Sequence, residues 1–176
     1  MKLYDYDRAP NPRRVRIFLA EKGISVPTER VDIGVRQNLE PPYRDKNPLV
    51  VLPALELDDG TVIAESIAIC RYFEALAPNP PLFGTTPVEI ARIEQWQRHA
   101  ELELLFIVAN VFRNTSPFWV GRLEQVPAYA EVNRNLLAER LAFFERALEG
   151  RDYIATDALS VADITMLVAL DFMRVI

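Results

Sequence analysis

An α/β domain followed by an all-α domain is the fold class that the sequence predicts, and three observations carry it. Up to Leu76, short β-branched or alternating runs are interleaved with helical stretches. Pro78-Asn79-Pro80-Pro81 then sets three prolines in four residues, which can continue neither a helix nor a sheet. Beyond that stop, apolar residues recur at helical spacing behind two helix-start signatures. The domains are therefore placed at residues 1–77 and 87–176, with 78–86 as the linker.

In the first domain, Lys2-Leu3-Tyr4-Asp5-Tyr6 alternates as a strand does. Pro12 to Lys22 carries Val15, Phe18 and Leu19 at helical spacing and closes at Gly23. Asn11 is placed to cap this helix, and Pro12 suits the first helical position, where its missing N–H costs nothing. Val26 to Val31 reads as the next strand and Gln37 to Asp45 as a loose polar stretch. Val50-Val51-Leu52 reads as an apolar strand that runs into Pro53, where a sheet interior would want an N–H, so Pro53 is expected in a turn or a cis bond. Leu55-Glu56-Leu57, the turn residues Asp58-Asp59-Gly60 and Thr61-Val62-Ile63-Ala64 form a hairpin. Glu65-Ser66 then opens a helix with Ile67, Ile69, Cys70 and Phe73 on its apolar face. Strand, helix, strand, antiparallel hairpin and helix together make a thioredoxin-like arrangement.

In the second domain, Thr86-Pro87-Val88-Glu89 is a capping box with proline at the first helical position, opening a helix that runs to about Arg113. Pro127 to Glu149 gives a long amphipathic helix with Leu136, Leu137, Leu141, Phe144 and Leu148 as its stripe and Gly150 as its stop. Ser160-Val161-Ala162-Asp163 is a second capping box, with Leu159 and Ile164 at the positions of a hydrophobic staple. The chain stops at Ile176 inside an apolar helix, so this domain is expected to lack one or more final helices.

Half of the residues are hydrophobic and 26% are charged, enough for a real core, and the net charge of −5 gives nucleic acid or an anionic membrane nothing to neutralise. No run has the length of a membrane span, and the first residues lack the apolar region of a signal peptide. Cys70 stands alone, which excludes an internal disulfide and fits a cytoplasmic protein; on an apolar helix face it reads as structural. His99 is the one histidine and has no second ligand placed around it, so no metal is expected.

The chemistry concentrates between Asn47 and Phe73. A strand edge beside Pro53 can pair with an extended ligand backbone, and the N-terminus of the helix opened by Glu65-Ser66 offers N–H groups and partial positive charge to a carboxylate. A small anionic peptide fits both.

Asn47-Pro48, Leu52-Pro53-Ala54-Leu55 and Ile63-Ala64-Glu65-Ser66-Ile67-Ala68-Ile69 resemble the glutathione-binding half of the cytosolic glutathione transferases, and the helical remainder of the chain fits the same family. The resemblance implies the glutathione transferase fold, glutathione as co-substrate and a homodimer. It implies that Leu52 pairs through its backbone with the cysteinyl unit, that Pro53 is cis, that Glu65 and Ser66 hold the γ-glutamyl end, and that Gln37 belongs to the glutathione site. It also assigns Phe106, Arg113 and Trp119 to the hydrophobic co-substrate. Val50-Val51 stands where the family usually has Gly-Lys before its Val-Pro pair.

Family members activate the glutathione thiol with a Tyr, Ser or Cys near the first helix, whereas this segment is Arg8-Ala9-Pro10-Asn11-Pro12-Arg13. Ala9 stands where serine-type enzymes carry their hydroxyl, which leaves Asn11 as the catalytic candidate. In this the segment resembles the bacterial nu-type enzymes, which favour disulfide exchange. Asn11 also reads simply as a helix cap, and one amide can serve both ends. The helix N-terminus, with Arg8, Arg13 and Arg14 nearby, would favour thiolate, although these arginines equally read as a solvated basic turn. Tyr4 and Tyr6 read as packed strand residues before they read as proton donors. Two functions stay open at this point. One is an enzyme that conjugates glutathione to a small hydrophobic electrophile or reduces disulfides with it; the other is a non-catalytic module of the same fold used for binding or protein interaction.

Overall fold

Strand β1 (Lys2–Asp5) is the hub of the first unit in the computed structural model, which describes residues 1–176. It pairs in parallel with β2 (Thr28–Arg30) and antiparallel with β3 (Ala54–Glu56), and β3 pairs antiparallel with β4 (Val62–Ala64), giving the order β2-β1-β3-β4. Strand alternation sends Leu3 and Leu55 to one face and Tyr4 and Ala54 to the other. On the second face, Tyr4, Tyr6, Val31, Leu52 and Ala54 form one core cluster with Tyr43 of a short helix, α2 (Pro41–Arg44). Helices α1 (Pro10–Glu21) and α3 (Ser66–Leu76) pack on each other, burying Val15, Phe18 and Leu19 from one and Ile69, Cys70 and Phe73 from the other. The two helices are also joined at their C-terminal ends. The Lys22 ammonium, buried after α1, pairs with Glu74 at 2.5 Å and donates to the carbonyls of Ala77, at 2.9 Å, and Pro80.

Two local expectations are corrected here. Helix α1 starts at Pro10 with Ala9 as its N-cap, so Asn11 lies inside the first turn and caps nothing. The cause is Pro10, whose fixed φ already suits the first helical position, and the turn closes where the Arg13 N–H meets the Ala9 carbonyl at 3.3 Å. Val50-Val51-Leu52 is not a strand. Val50 sits at φ 52, its N–H bonds to the Asn47 carbonyl at 2.8 Å, and its carbonyl accepts from the Asn38 amide at 2.7 Å. The Val51 carbonyl is taken by the Asn47 amide at 2.8 Å and by the Tyr43 hydroxyl. Side chains thus satisfy the groups that a neighbouring strand would have used. The polar stretch 37–45 is more ordered than its composition suggests, forming a 3-10 turn over Gln37–Leu39 and then α2.

The chain divides into two units, Met1–Pro80 and Pro81–Ile176. In the second, α4 (Pro87–Ala100) begins with the capping box of Thr86 and Glu89. The long helix expected to reach Arg113 is interrupted by a π-helical turn over Glu101–Leu105, where the Phe106 N–H reaches back five residues to the Glu101 carbonyl, and continues as α5 (Phe106–Thr115). A 3-10 turn over Pro117–Trp119 leads to α6 (Pro127–Leu148). That helix buries Ala130, Asn133, Leu137 and Phe144, whereas Leu136, Leu141 and Leu148 are only half-buried. Asn133 is accommodated by accepting from the Asn110 amide at 3.2 Å and donating to the Tyr129 carbonyl at 2.8 Å. Helix α7 (Val161–Phe172) is the most buried element, packed against α4 and the π turn, and Ser160 with Asp163 makes its capping box.

Candidate active site

The hairpin register builds the site. Ala54 faces Ala64 across β3 and β4, so the antiparallel order brings Leu52–Pro53, just before β3, and Glu65–Ser66, just after β4, to the same end of the hairpin. Tyr4 also faces Ala54, which brings the exit of β1, and with it the approach to α1, to this same end of the sheet. The Leu52–Pro53 bond is cis, as the sequence led us to expect. The Leu52 side chain is buried in the tyrosine-lined cluster, and its backbone lies outside the ladder, which begins at Ala54.

Glu65 follows β4 at φ 70 and ψ 120 and acts as the backbone N-cap of α3, its carbonyl accepting from the Ile69 N–H at 3.0 Å. The N–H groups of Ser66, Ile67 and Ala68 therefore form the open first turn of an eleven-residue helix. Ser66 is 4% exposed, and its hydroxyl oxygen accepts from Arg14 Nη1 at 3.0 Å. Arg14 is wholly buried, which overturns its reading as part of a solvated basic turn. Nothing in its sequence neighbourhood marks this. The only signal was its position one residue before Val15, on the side of α1 that meets α3.

The first turn of α1 is chemically poorer. Pro10 and Pro12 have no N–H, so Asn11 supplies the one backbone donor ahead of Arg13. Its side chain is exposed and makes no cap. The tyrosines are packed, as expected. Tyr4 donates to Glu56 at 2.5 Å, and burial followed by that carboxylate raises its pKa, which keeps the phenol protonated. Tyr6 lies in the core cluster with the Arg30 guanidinium 5.3 Å from its ring. Burial pushes the Cys70 thiol up to about 12, so it is inert at neutral pH.

The remaining candidates are held by other elements. Gln37 spends its amide oxygen on the Asp32 N–H at 2.8 Å and lines a depression of about 470 Å³ with Lys2, Tyr4, Tyr43, Lys46 and Glu56. Phe106 is exposed at the start of α5, and Arg113, also exposed, follows two turns later on the same helix face. Trp119 instead belongs to an aromatic cluster, 6.1 Å from the Phe112 ring and 5.0 Å from Phe118. His99 packs edge-on against Trp96 and Phe143.

A thioredoxin-like sheet with a cis-proline ahead of β3, a polar pair where β4 meets α3 and a separate helical unit defines the glutathione transferase class of architecture. The comparisons give the family itself. Residues 3–81 match the family model for the glutathione S-transferase N-terminal domain and residues 99–176 that for the C-terminal domain. The chain is 37% identical over 180 residues to glutathione S-transferase 2 of Saccharomyces cerevisiae, an alignment covering 100% of this chain and 77% of the yeast protein. The crystal structure of a glutathione S-transferase domain-containing protein from Marinobacter aquaeolei VT8 superposes with a TM-score of 0.94 at 34% identity, covering 100% of this chain and 89% of that one. Gtt2 from Saccharomyces cerevisiae superposes with a TM-score of 0.93 at 37% identity, covering 99% and 86%. The chain belongs to the glutathione S-transferase family.

Proposed function

We propose that this chain is a glutathione transferase that joins the tripeptide thiol to a small hydrophobic electrophile or uses it to reduce a disulfide. The observation that carries the reading is the pairing of Ala54 with Ala64, which brings the cis Leu52–Pro53 bond and the Glu65–Ser66 start of α3 to one end of the hairpin. An extended peptide pairs there with the Leu52 backbone through its cysteinyl unit, while its γ-glutamyl carboxylate meets Ser66 and the open N–H groups of α3 and its ammonium meets Glu65. Gln37 serves the same ligand. Phe106, Arg113 and Trp119 serve the hydrophobic co-substrate.

Asn11 takes the place of the missing hydroxyl. Between two prolines, its N–H and its carboxamide are the donors that α1 offers to a thiolate, and this nu-like arrangement favours disulfide exchange. The active form is a cytoplasmic homodimer. Family membership favours the enzyme over the non-catalytic module.

Calorimetric titration with reduced and oxidised glutathione, followed by halo-aromatic conjugation and disulfide-reduction assays, tests the proposal. Binding with turnover in at least one assay is expected; no binding of either form refutes it. Asn11→Ala should lower turnover about ten- to a thousandfold, as loss of one preorganised donor does. Full activity in that variant would remove Asn11 from the mechanism.

A further inference from the structure

Arg16, in the second turn of α1, is tied back to the strand and loop that precede its helix. Its Nη1 donates to both carboxylate oxygens of Asp5, at 2.6 and 2.7 Å, and its Nη2 donates to the Asp7 carbonyl at 2.9 Å. Asp5 ends β1, is 7% exposed, and is itself locked to the sheet where its carbonyl accepts from the Val31 N–H at 2.8 Å. One guanidinium therefore joins a fixed strand end, the loop over residues 6–9 and the body of α1. The Asp7 carboxylate adds only a loose pairing with Arg30 Nε, at 3.6 Å with both side chains more than half exposed. At its other end the loop closes with the Ala9 N–H on the Tyr6 carbonyl at 3.0 Å, and the Ala9 carbonyl closes the first turn of α1 by accepting from Arg13.

We propose that Arg16 is a positioning residue whose clamp on Asp5 and the Asp7 carbonyl sets the path of the 6–9 loop and so keeps Asn11 aimed at the glutathione sulfur. The proposal rests on the reading of the chain as a glutathione transferase with the thiol at the start of α1. Pro10 and Pro12 flank Asn11, so no adjacent N–H replaces it when the turn shifts. The clamp needs the breadth of a guanidinium. A lysine at position 16 answers the Asp5 carboxylate with the same charge, but its single nitrogen does not also span to the Asp7 carbonyl. Charge and span are thereby separable.

Steady-state kinetics and the ultraviolet absorbance of the bound thiolate as a function of pH, both on the full chain, test the proposal. In Arg16→Lys, kcat should fall about ten- to a hundredfold, as displacement of a positioned group does. The pKa of the bound thiol should rise by about one unit, which is tenfold in thiolate at any pH below it. Calorimetric affinity at a pH where the bound thiol is protonated should stay within about threefold, because only the thiolate has lost a contact. Asp5→Asn breaks the same clamp from its other side, should act alike, and stands in should Arg16→Lys not fold. The double variant should be no more than about twofold worse than either single one, since all three lose one link. A clamp variant that keeps the wild-type kcat and thiol pKa, that loses only folding stability, or that loses affinity for the protonated thiol as much as it loses kcat would overturn the proposal while leaving the function standing. Additive losses in the double variant would do the same. A wild type that binds no glutathione overturns both.

Discussion

Asp163 is the one buried carboxylate in the second unit, and Asp163→Ala measures what its hydrogen bonds are worth. Its Oδ1 accepts from the Ile154 N–H at 2.8 Å, and its Oδ2 accepts from the Ser160 N–H at 2.9 Å and the Ser160 hydroxyl at 2.6 Å. Ile154 and Ser160 are both 0% exposed, so truncation leaves two backbone donors without water. At about 1–3 kcal/mol for each stranded donor, with about 0.3–1 kcal/mol for the charge lost from the α7 N-terminus, the variant should lose about 2–7 kcal/mol. That is a large share of the roughly 5–15 kcal/mol that holds a domain together. Asp163→Asn keeps one good acceptor and should lose about half as much. Urea titration of the full chain by far-ultraviolet circular dichroism reads both values. A loss under about 1 kcal/mol in Asp163→Ala, or equal losses in the two variants, would show that the groups find other partners and would refute the reasoning.

Four further outcomes are expected. Cys70 should resist thiol reagents at neutral pH until the chain unfolds; because its folded pKa of about 12 lies above the ordinary 9.0, its contribution to stability is complete below pH 9 and lost as pH rises through 12, which alkaline unfolding measurements will show. Glu89 is held at about 2, below the ordinary 4.5, by the backbone N–H groups of Thr85 and Thr86 and the Thr85 hydroxyl, so the α4 cap is complete above pH 4.5 and weakens as pH falls through 2. Glu89→Gln should flatten that part of an acid-unfolding profile. Ser66→Ala should weaken glutathione binding by about 1–3 kcal/mol, read by calorimetry, as removal of a buried hydrogen-bond partner does. Asn11→Ala should change folding stability by no more than about 0.5 kcal/mol in a denaturant titration, because the exposed side chain caps nothing.

The parts of the fold legible in the sequence are those with local causes. Asp58-Asp59-Gly60 turns between β3 and β4 because Gly60 takes φ 85 and Asp59 bonds the Thr61 N–H, and both capping boxes form where Thr86 and Ser160 precede an acidic residue by three. Val50-Val51-Leu52 misled because the side chains of Asn38, Tyr43 and Asn47, four to twelve residues upstream, capture the Val50 and Val51 carbonyls, and strand propensity does not register that. The start of α1 was missed by two residues because Ala9, the true N-cap, has no capping side chain, whereas the next Asn-Pro pair imitates a helix start. The same shift changes the chemistry, since it turns Asn11 from a cap into an exposed donor. In the candidate site, the meeting of Leu52–Pro53 and Glu65–Ser66 at one end of the hairpin follows from its length. Arg14 did not follow, because burial of a guanidinium depends on what α3 sets against it. The π turn at Glu101–Leu105 was equally silent, its residues being ordinary helix formers.

The buried ammonium of Lys22 bears on where the first unit can be cut. Its acceptors are Glu74 in the last turn of α3, the carbonyl of Ala77 that ends the helix, and the carbonyl of Pro80 in the proline-rich segment, so that segment, whose composition marks it as a connector, completes the coordination of a charge that follows α1. A fragment ended at residue 79 discards the Pro80 carbonyl and leaves a sequestered cation short of an acceptor, whereas one ended at Pro80 retains all three. For isolating the sheet-bearing half, the tether's first three residues are therefore part of the cargo.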